Sequence, residues 1–278
     1  MTLQEFRERF VLFVTEHPEN TIQARYALRP ELAGTPYFDA PLVGCAAADD
    51  PLFTLYKTDP KVLGPLFRTP KEWMPESLSV LTFFFPYTQE IRDSNRPDPG
   101  VPSDEWLHAR VEGHKFMMSA CREAAEWLRN EGYRAIAPVD SPDFETSRKP
   151  ERLALGEPAY TSSWSERHAA YAAGLGTFGL SKHIITEKGV CGRICSIITD
   201  APLEVTPRPY TDPYEYCTFC GACGARCPVN SIDVEKGKDV ITCSLFSKKS
   251  KELYKPRSGC GKCQQNVPCE SGIPGRNG

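Results

Sequence analysis

The sequence predicts an α+β protein in which a larger mixed α/β domain precedes a small cysteine-rich domain. Eight of the 12 cysteines fall in one stretch, between Cys217 and Cys269. Before it, segments with helical periodicity alternate with short runs of β-branched and aromatic residues. Prolines separate the two parts, at Pro202, Pro207, Pro209 and Pro213. The 278 residues are enough for one large and one small domain, which we expect at 1–205 and 206–278.

The first half of the larger domain is predicted to hold two helices and a buried strand. Thr2 and Glu5 have the spacing of a capping box, and apolar residues then recur at helical spacing, so residues 3–16 are predicted to be helical. The apolar, aromatic run 79–85 is typical of a strand covered on both faces. A longer helix is predicted from a serine N-cap over 103–129.

The second half is predicted to contain a strand over 133–137 and a long loop over 141–163, which is a candidate lid over a cavity. An alanine-rich helix follows over 164–173. Three glycines come directly after it: Gly174, Gly176 and Gly179. They match G-x-G-x-x-G by letter, but a dinucleotide fingerprint needs a strand before the glycines and a helix after them, so we reject that interpretation. The glycines indicate a tight backbone that a large group can approach closely.

The last stretch has the spacing of an iron–sulfur protein. Residues 217–228 read C-x2-C-x2-C-x3-C-P, the bacterial ferredoxin spacing, in which three cysteines bind one [4Fe–4S] cluster and the fourth binds another. We therefore predict a ferredoxin-like domain with two clusters. The first is expected on Cys217, Cys220, Cys223 and Cys269. The second is expected on Cys227, Cys243, Cys260 and Cys263.

Other uses of these cysteines fit the spacing less well. Two structural zinc sites also use C-x2-C pairs, but the crowded first run that ends in Pro228 favours clusters. A disulfide framework is disfavoured because no secretory signal is present. Four cysteines lie outside the stretch, and we interpret them as packing residues: Cys45, Cys121, Cys191 and Cys195.

Composition and charge narrow the function classes. The formal net charge is −3 and the pI is about 6.0, whereas a non-specific nucleic-acid binder is normally basic. Residues 1–8 have no apolar signal core, and no run approaches the roughly 18 apolar residues of a membrane span. We therefore expect a cytoplasmic protein without a membrane span.

From the alanine-rich helix onward, the order of motifs resembles two known families. The chain has Ala-Gly-Leu-Gly-x-x-Gly at 173–179, Ile-Thr-Asp-Ala-Pro-Leu at 198–203, and then the ferredoxin spacing. This order resembles the epoxyqueuosine reductases and the reductive dehalogenases over about residues 130–270. Further marks resemble a shorter branch often labelled epoxyqueuosine reductase, without the C-terminal helical repeat region: 164–168, 179–182, 216–220 and 267–270. The resemblance implies a nitroreductase-like α/β core that holds a cobalamin and receives electrons from the ferredoxin-like domain.

The resemblance also implies candidate active-site residues. Epoxyqueuosine reductases carry a catalytic aspartate in a Val-Asp motif; Asp140 is that acid if the long loop is an insertion. Tyr160 occupies the unshifted position, and reductive dehalogenases use a tyrosine as proton donor. Glu166 and His168 are further candidate donors, with solvent exposure and packing as the alternatives. The glycine turn is expected to bind the cofactor through Gly174, Gly176, Gly179, Ser181, Lys182 and His183.

We therefore expect an oxidoreductase that passes electrons through two clusters to a cobalamin and reduces a small-molecule substrate. A redox-active corrinoid carrier or reactivator without substrate turnover is one alternative. A flavin-dependent reductase on the same core is another. Reduced ferredoxin or flavodoxin is the expected electron donor. A local basic patch is interpreted first as a solvated face, with docking of such an acidic donor as the alternative: Lys248, Lys249, Lys251, Lys255 and Arg257. A tRNA substrate is not expected at a net charge of −3.

Overall fold

An antiparallel four-stranded sheet carries the fold. In the computed structural model, which describes residues 1–275, the strands are β1 (Leu42–Ala47), β2 (Ser79–Pro86), β3 (Ala135–Ile136), β4 (Thr146–Arg148), β5 (Tyr160–Ser162), β6 (Gly176–Phe178), β7 (Ile184–Thr186), β8 (Gly192–Thr199), β9 (Ile232–Asp233) and β10 (Gly237–Lys238). The main sheet has the order β1-β2-β8-β3 with antiparallel neighbours. The other strands form three hairpin pairs, β4 with β5, β6 with β7 and β9 with β10.

Helices lie on both faces of this sheet. They are α1 (Leu3–Glu16), α2 (Pro51–Thr58), α3 (Pro70–Trp73), α4 (Gln89–Ser94), α5 (Asp104–Asn130), α6 (Glu166–Ala172), α7 (Ala222–Ala225) and α8 (Val240–Leu253). Short 3-10 helices lie at Pro30–Leu32, Pro138–Asp140, Pro150–Leu155 and Lys262–Gln264. Among residues 1–275, none of the helices combines the length and the apolar character that crossing a membrane requires. The prediction of a mixed α/β protein is confirmed.

Strand β2 shows why both faces of the sheet are covered. Its side chains alternate between two cores. Leu81, Phe83 and Phe85 pack with α1 and α5, whereas Val80 and Phe84 pack with α2 and α6. All eight residues of β2 are buried, which confirms the buried strand predicted from the sequence. Burying an aromatic side chain of this size contributes about 2–3 kcal/mol, so the strand anchors both layers.

The two long helices predicted from the sequence are confirmed. In α1 the Thr2 side chain accepts a hydrogen bond from the backbone N–H of Glu5, and the Glu5 carboxylate binds back to the Thr2 backbone, as in a capping box. In α5 the Ser103 hydroxyl caps Trp106 N–H. These ends were predictable because capping is local: the cap and its partner are three residues apart.

The segment 141–163 differs from its prediction. Instead of a structureless loop it contains the β4–β5 hairpin, with a 3-10 helix between the strands. The strand predicted over 133–137 is reduced to two residues, β3. Strands this short do not display a period of two, so the sequence pattern cannot reveal them.

The cysteine-rich part is bonded to the core. Cys191 N–H donates to the Glu270 carbonyl at 3.2 Å, which ties the C-terminal segment to the start of β8. Gly261 lies against the ring of Trp106 in α5, where a Cβ would be 2.0 Å from the nearest ring atom. The domain boundary between residues 205 and 206 stays a prediction.

Candidate functional site

The structure gathers four cysteines around one cavity, and we call them cysteine group 1: Cys217, Cys220, Cys223 and Cys269. Leu180 N–H donates to Cys217 Sγ at 3.4 Å, which brings the glycine turn to the same cavity. The loop that presents the first three cysteines contains two left-handed residues, Phe219 (φ +50°) and Gly221 (φ +76°). The fourth cysteine comes from a segment far along the chain, so tertiary packing completes the set.

The other four form cysteine group 2: Cys227, Cys243, Cys260 and Cys263. Burial raises the pKa of Cys260 to about 11, and Cys263 and Cys243 raise it further. Burial likewise raises the pKa of Cys263, and Cys243 and Cys227 add to that effect. A nearby thiolate disfavours a second one only at short range, so Cys227, Cys243 and Cys260 lie in the neighbourhood of Cys263.

The two cysteine groups adjoin each other. Burial raises the pKa of Cys223 in group 1 to about 11, and the next cause is Cys263 in group 2. Among residues 1–275, no three His, Cys, Asp or Glu side chains converge closely enough to hold a single metal ion. A [4Fe–4S] core is larger than one ion and is bound by thiolates that stand farther apart.

We infer a water-accessible cavity beside cysteine group 2 from the surroundings of Arg167. Arg167 is accessible to water, yet burial lowers the pKa of its guanidinium. A side chain that is both accessible and surrounded by protein lines a cavity that water enters. Tyr160, Cys263 and Cys243 lie close enough to raise the pKa of Arg167, which opposes the effect of burial. We call this inferred space the central cavity. We assign to it the residues whose charges affect Arg167 or one another: Arg110, Tyr160, Arg167, His183 and Arg193.

Glu166 begins α6, next to Arg167, and holds a proton at neutral pH. Its carboxyl accepts a hydrogen bond from the Ser196 hydroxyl, which in turn accepts one from Trp164 Nε1 at 2.8 Å. Burial raises the pKa of Glu166 to about 8, and these hydrogen bonds offset the rise only in part. Because the group is half-buried and mostly protonated at pH 7, it is chemically able to donate a proton.

His168 has the geometry of a packing residue. Its ring lies 4.8 Å from the Tyr56 ring and 4.9 Å from the Phe178 ring, and Nδ1 is 2.8 Å from Ser165 Oγ. Burial lowers the pKa of His168 to about 3, so the imidazole is neutral and has no proton to give at pH 7. This arrangement matches the packing alternative considered for this residue.

Lys182 and His183 follow the glycine turn. Lys182 Nζ donates to Tyr214 Oη at 2.8 Å. His183 Nδ1 is 3.2 Å from Ser181 Oγ. Burial holds the pKa of His183 well below its ordinary value, and Lys238 and Arg167 lower it further. His183 therefore carries a neutral ring near Arg167, while Ser181 lines the cavity of cysteine group 1.

The glycines meet the chain's own backbone. A Cβ on Gly176 would be 2.0 Å from the Ile185 carbonyl oxygen, across the β6–β7 pair. A Cβ on Gly174 (φ +76°) would be 2.6 Å from the Pro207 carbonyl oxygen. Gly174 also lines a separate cavity of about 530 Å³ beside β1, and Gly179 lines the cavity of cysteine group 1. The sequence pattern identified close approach but not which group approaches; a role for these glycines in cofactor binding stays a prediction.

Asp140 and Tyr160 occupy different surroundings. The Asp140 carboxylate pairs with Arg122 at 3.0 Å on the surface. Tyr160 opens β5 with 43% of its surface exposed, and its ring lies 5.4 Å from the Arg148 guanidinium. Tyr160 also raises the pKa of Arg167, so we assign it to the central cavity. Of the two, the structure brings Tyr160 to the other candidate residues.

The remaining cysteines are buried thiols, as expected: Cys45, Cys121, Cys191 and Cys195. Burial raises the pKa of Cys45 to about 11 and that of Cys195 well above its ordinary value. A thiol in such surroundings is inert as a nucleophile.

The sequence reading missed Arg110, His114 and Arg193. Arg193 Nη2 lies 3.0 Å from His114 Nδ1, at the end of β8 that faces α5. One signal was present, because a charged residue at the start of an otherwise apolar strand needs a partner or a function. Arg110 and His114 gave no signal, since helix α5 carries charged residues along most of its length.

No family model and no curated protein match the sequence. Solved structures do match. One is an epoxyqueuosine reductase from Bacillus subtilis with its catalytic loop swung out of the active site (TM-score 0.51, 18% identity, 98% of this chain and 67% of that one). Another is an epoxyqueuosine reductase with an epoxyqueuosine-modified tRNA-Tyr stem loop (TM-score 0.54, 18% identity, 98% and 67%).

A third match is a reductive dehalogenase whose structure is described as suggesting a mechanism for B12-dependent dehalogenation (TM-score 0.51, 17% identity, 82% of this chain and 29% of that one). The chain thus spans about two thirds of the epoxyqueuosine reductases and under a third of this dehalogenase. At 17–18% identity, the similarity to these structures establishes a shared fold only. The chain therefore has the fold that epoxyqueuosine reductases and B12-dependent reductive dehalogenases share.

Proposed function

We propose that the protein is a reductase with [4Fe–4S] clusters on cysteine groups 1 and 2 and a cobalamin in the central cavity. One observation carries the proposal: cysteine group 2 adjoins both group 1 and the cavity. Cys263 raises the pKa of Cys223 in group 1 and also that of Arg167 at the central cavity, so it lies near both. Electrons can therefore pass from group 1 through group 2 to the cavity.

The cysteine groups suit clusters chemically. Each offers four sulfur atoms, the number that a [4Fe–4S] cluster binds. Backbone N–H groups already point at sulfur, from Leu180 to Cys217 at 3.4 Å and from Ser231 to Cys227 at 3.3 Å. Such hydrogen bonds stabilise thiolates and set reduction potentials. Lys238 favours the thiolate forms of Cys227 and Cys263 as well, which suits an anionic cluster.

The central cavity suits a large cofactor that carries a phosphate. Arg110 and Arg193 would supply donors for the phosphate, and Arg167, Lys182 and His183 would supply further polar contacts. When bound, cobalamin supplies the reducing chemistry at its cobalt. A flavin also carries phosphate and fits the same charges, so it remains the second candidate cofactor.

The chain's own residues would bind the substrate and provide its proton. Glu166 holds a proton at pH 7 because burial raises its pKa to about 8. Tyr160 lies at the cavity and brings a phenol O–H. We propose these two as donors to a small-molecule substrate. A corrinoid carrier or reactivator would need no such donors, so substrate turnover separates the two functions.

Electron entry is proposed at cysteine group 1. Cys220 is exposed there, and Phe219 has 43% of its surface exposed beside it. Reduced ferredoxin or flavodoxin is the proposed electron donor. The exposed lysines Lys248 and Lys249 lie on α8, which carries Cys243 of cysteine group 2, so a solvated face is the alternative use of that basic patch. Thiols and clusters both persist in a reducing compartment, so we propose a cytoplasmic location.

Metal analysis and a visible spectrum of anaerobic protein, from cells grown with cobalamin, test the proposal. We expect about eight iron and eight sulfide per chain, from two clusters of four, and a corrinoid absorption band. A finding of zinc with little iron would show that the cysteines form structural zinc sites instead of clusters. A flavin band would assign the core to the flavin alternative.

A further inference from the structure

Two arginines in the central cavity, Arg110 and Arg193, have no carboxylate partner among residues 1–275, although nearby carboxylates are engaged elsewhere. Glu112 pairs with Arg257 at 3.0 Å, Glu105 pairs with Arg29 at 3.1 Å, and Glu270 pairs with Arg96 at 2.9 Å. Glu166, the other carboxyl in this region, is protonated and bound to Ser196. The protein has a net charge of −3, so this local excess of positive charge is not a property of its composition.

The Arg110 and Arg193 side chains lie near each other, since both affect the pKa of His114 and Arg110 lowers that of Arg193. Arg110 and His114 are four residues apart on α5 and therefore lie on the same helix face. Arg193 Nη2 is 3.0 Å from His114 Nδ1. Burial lowers the pKa of His114 to about 3, and Arg193 and Arg110 lower it further, so the ring is neutral and Nδ1 can accept the Arg193 N–H. His114 thus holds Arg193 beside Arg110.

The positive charges of Arg110 and Arg193 are not neutralised by a carboxylate within residues 1–275. Arg193 Nε is buried and has no hydrogen-bond partner within residues 1–275. Burial lowers the pKa of Arg193 to about 10, and Arg110 is the next cause. The stem of Arg110 packs against Gly259, where a Cβ would be 2.8 Å from Arg110 Cγ. A folded protein that keeps two like charges together and partly dehydrated is stabilised strongly by a ligand of opposite charge.

We propose that Arg110 and Arg193 form an oxyanion site that binds the carboxylate or phosphate of an organic molecule in the central cavity. Arg167 is left out because it adjoins cysteine group 2, whose thiolates or cluster balance its charge. The oxyanion belongs either to the substrate or to the phosphodiester of a bound cobalamin. The site rests on the proposed function only for the identity of that molecule.

Calorimetry of the anaerobically purified holoprotein, with benzoate and inorganic phosphate as probes, tests the site. Arg110→Gln and Arg193→Gln should each weaken binding of the better probe roughly tenfold or more, because each change removes a charged hydrogen-bond donor to the anion. Arg122→Gln, at a surface arginine paired with Asp140, is the matched control and should bind as wild type. If a Gln variant loses iron, Arg193→Lys replaces it, because lysine keeps the charge but loses the bidentate fork and should still weaken binding.

A second pair of titrations identifies the source of the oxyanion. It uses protein with its clusters from cells grown without cobalamin, and adds cobalamin or cobinamide, which lacks the nucleotide phosphate. If the arginine variants lose affinity for cobalamin about tenfold but keep it for cobinamide, the site holds the cofactor phosphate. If both corrinoids bind unchanged while probe binding falls, the site holds the substrate. If the wild type binds no corrinoid but its probe binding still depends on both arginines, the oxyanion site stands and the cobalamin assignment fails. Probe and corrinoid binding unchanged in both variants would overturn the site.

Discussion

At the scale of single residues, burial decides which candidate group can act as an acid. Glu166 and His168 are two positions apart in α6, yet burial pushes their pKa values in opposite directions, to about 8 and about 3. Burial disfavours whichever form is charged, so the carboxyl keeps its proton and the imidazole loses its own. The residue type alone would have favoured histidine as the donor at neutral pH.

Glu166→Gln should change how stability depends on pH. The folded protein keeps the Glu166 proton up to about pH 8, whereas the unfolded chain releases it near the ordinary value of 4.5. The contribution to stability is therefore complete below pH 4.5 and is lost as the pH rises toward 8. The variant cannot ionise at this position, so its unfolding midpoint relative to that of wild type should rise between about pH 4.5 and 8 and level off above pH 8. Glu235→Gln, on the surface, should follow wild type; parallel curves for Glu166→Gln would contradict the raised pKa.

At the scale of elements, the β6–β7 pair depends on one missing side chain. Gly176→Ala should destabilise the protein by about 2–3 kcal/mol or more, because the new Cβ collides with the Ile185 carbonyl and the strands must separate. Chemical unfolding measures this loss. Gly100→Ala is the control, since the nearest atom to its Cβ would be 3.7 Å away. Wild-type stability in Gly176→Ala, combined with loss of corrinoid, would instead favour the macrocycle contact expected from the sequence.

At the scale of the whole molecule, the proposed clusters link segments that are far apart in the chain. Cys223→Ser and Cys263→Ser should each remove one cluster and lower the iron content from about eight toward about four per chain. Cys45→Ser, at a buried thiol distant from both groups in sequence, should keep the wild-type iron content. Iron analysis with paramagnetic resonance of the reduced protein reads out each cluster. Unchanged iron in both cluster variants would exclude this ligand assignment.

The charge of the whole molecule bears on its substrate. We predict that tRNA binds weakly and only at low salt, because a net charge of −3 provides little phosphate neutralisation. One neighbour in fold binds a tRNA stem loop, so the prediction sets this chain apart from that enzyme. A filter-binding titration with a queuosine-precursor tRNA at about 0.15 M salt, a physiological ionic strength, is the measurement. Tight binding there would restore tRNA as the substrate.

The sequence by itself determined the features that depend on neighbouring residues. The capped helices α1 and α5, the buried strand β2 and the eight closely spaced cysteines all follow from local spacing or local composition. Tertiary structure decided the rest. The short hairpin at 146–162 and the unpaired charges of Arg110 and Arg193 depend on segments that meet only after folding. Burial also set the protonation of Glu166, because desolvation is a property of the packed surroundings and not of the residue type.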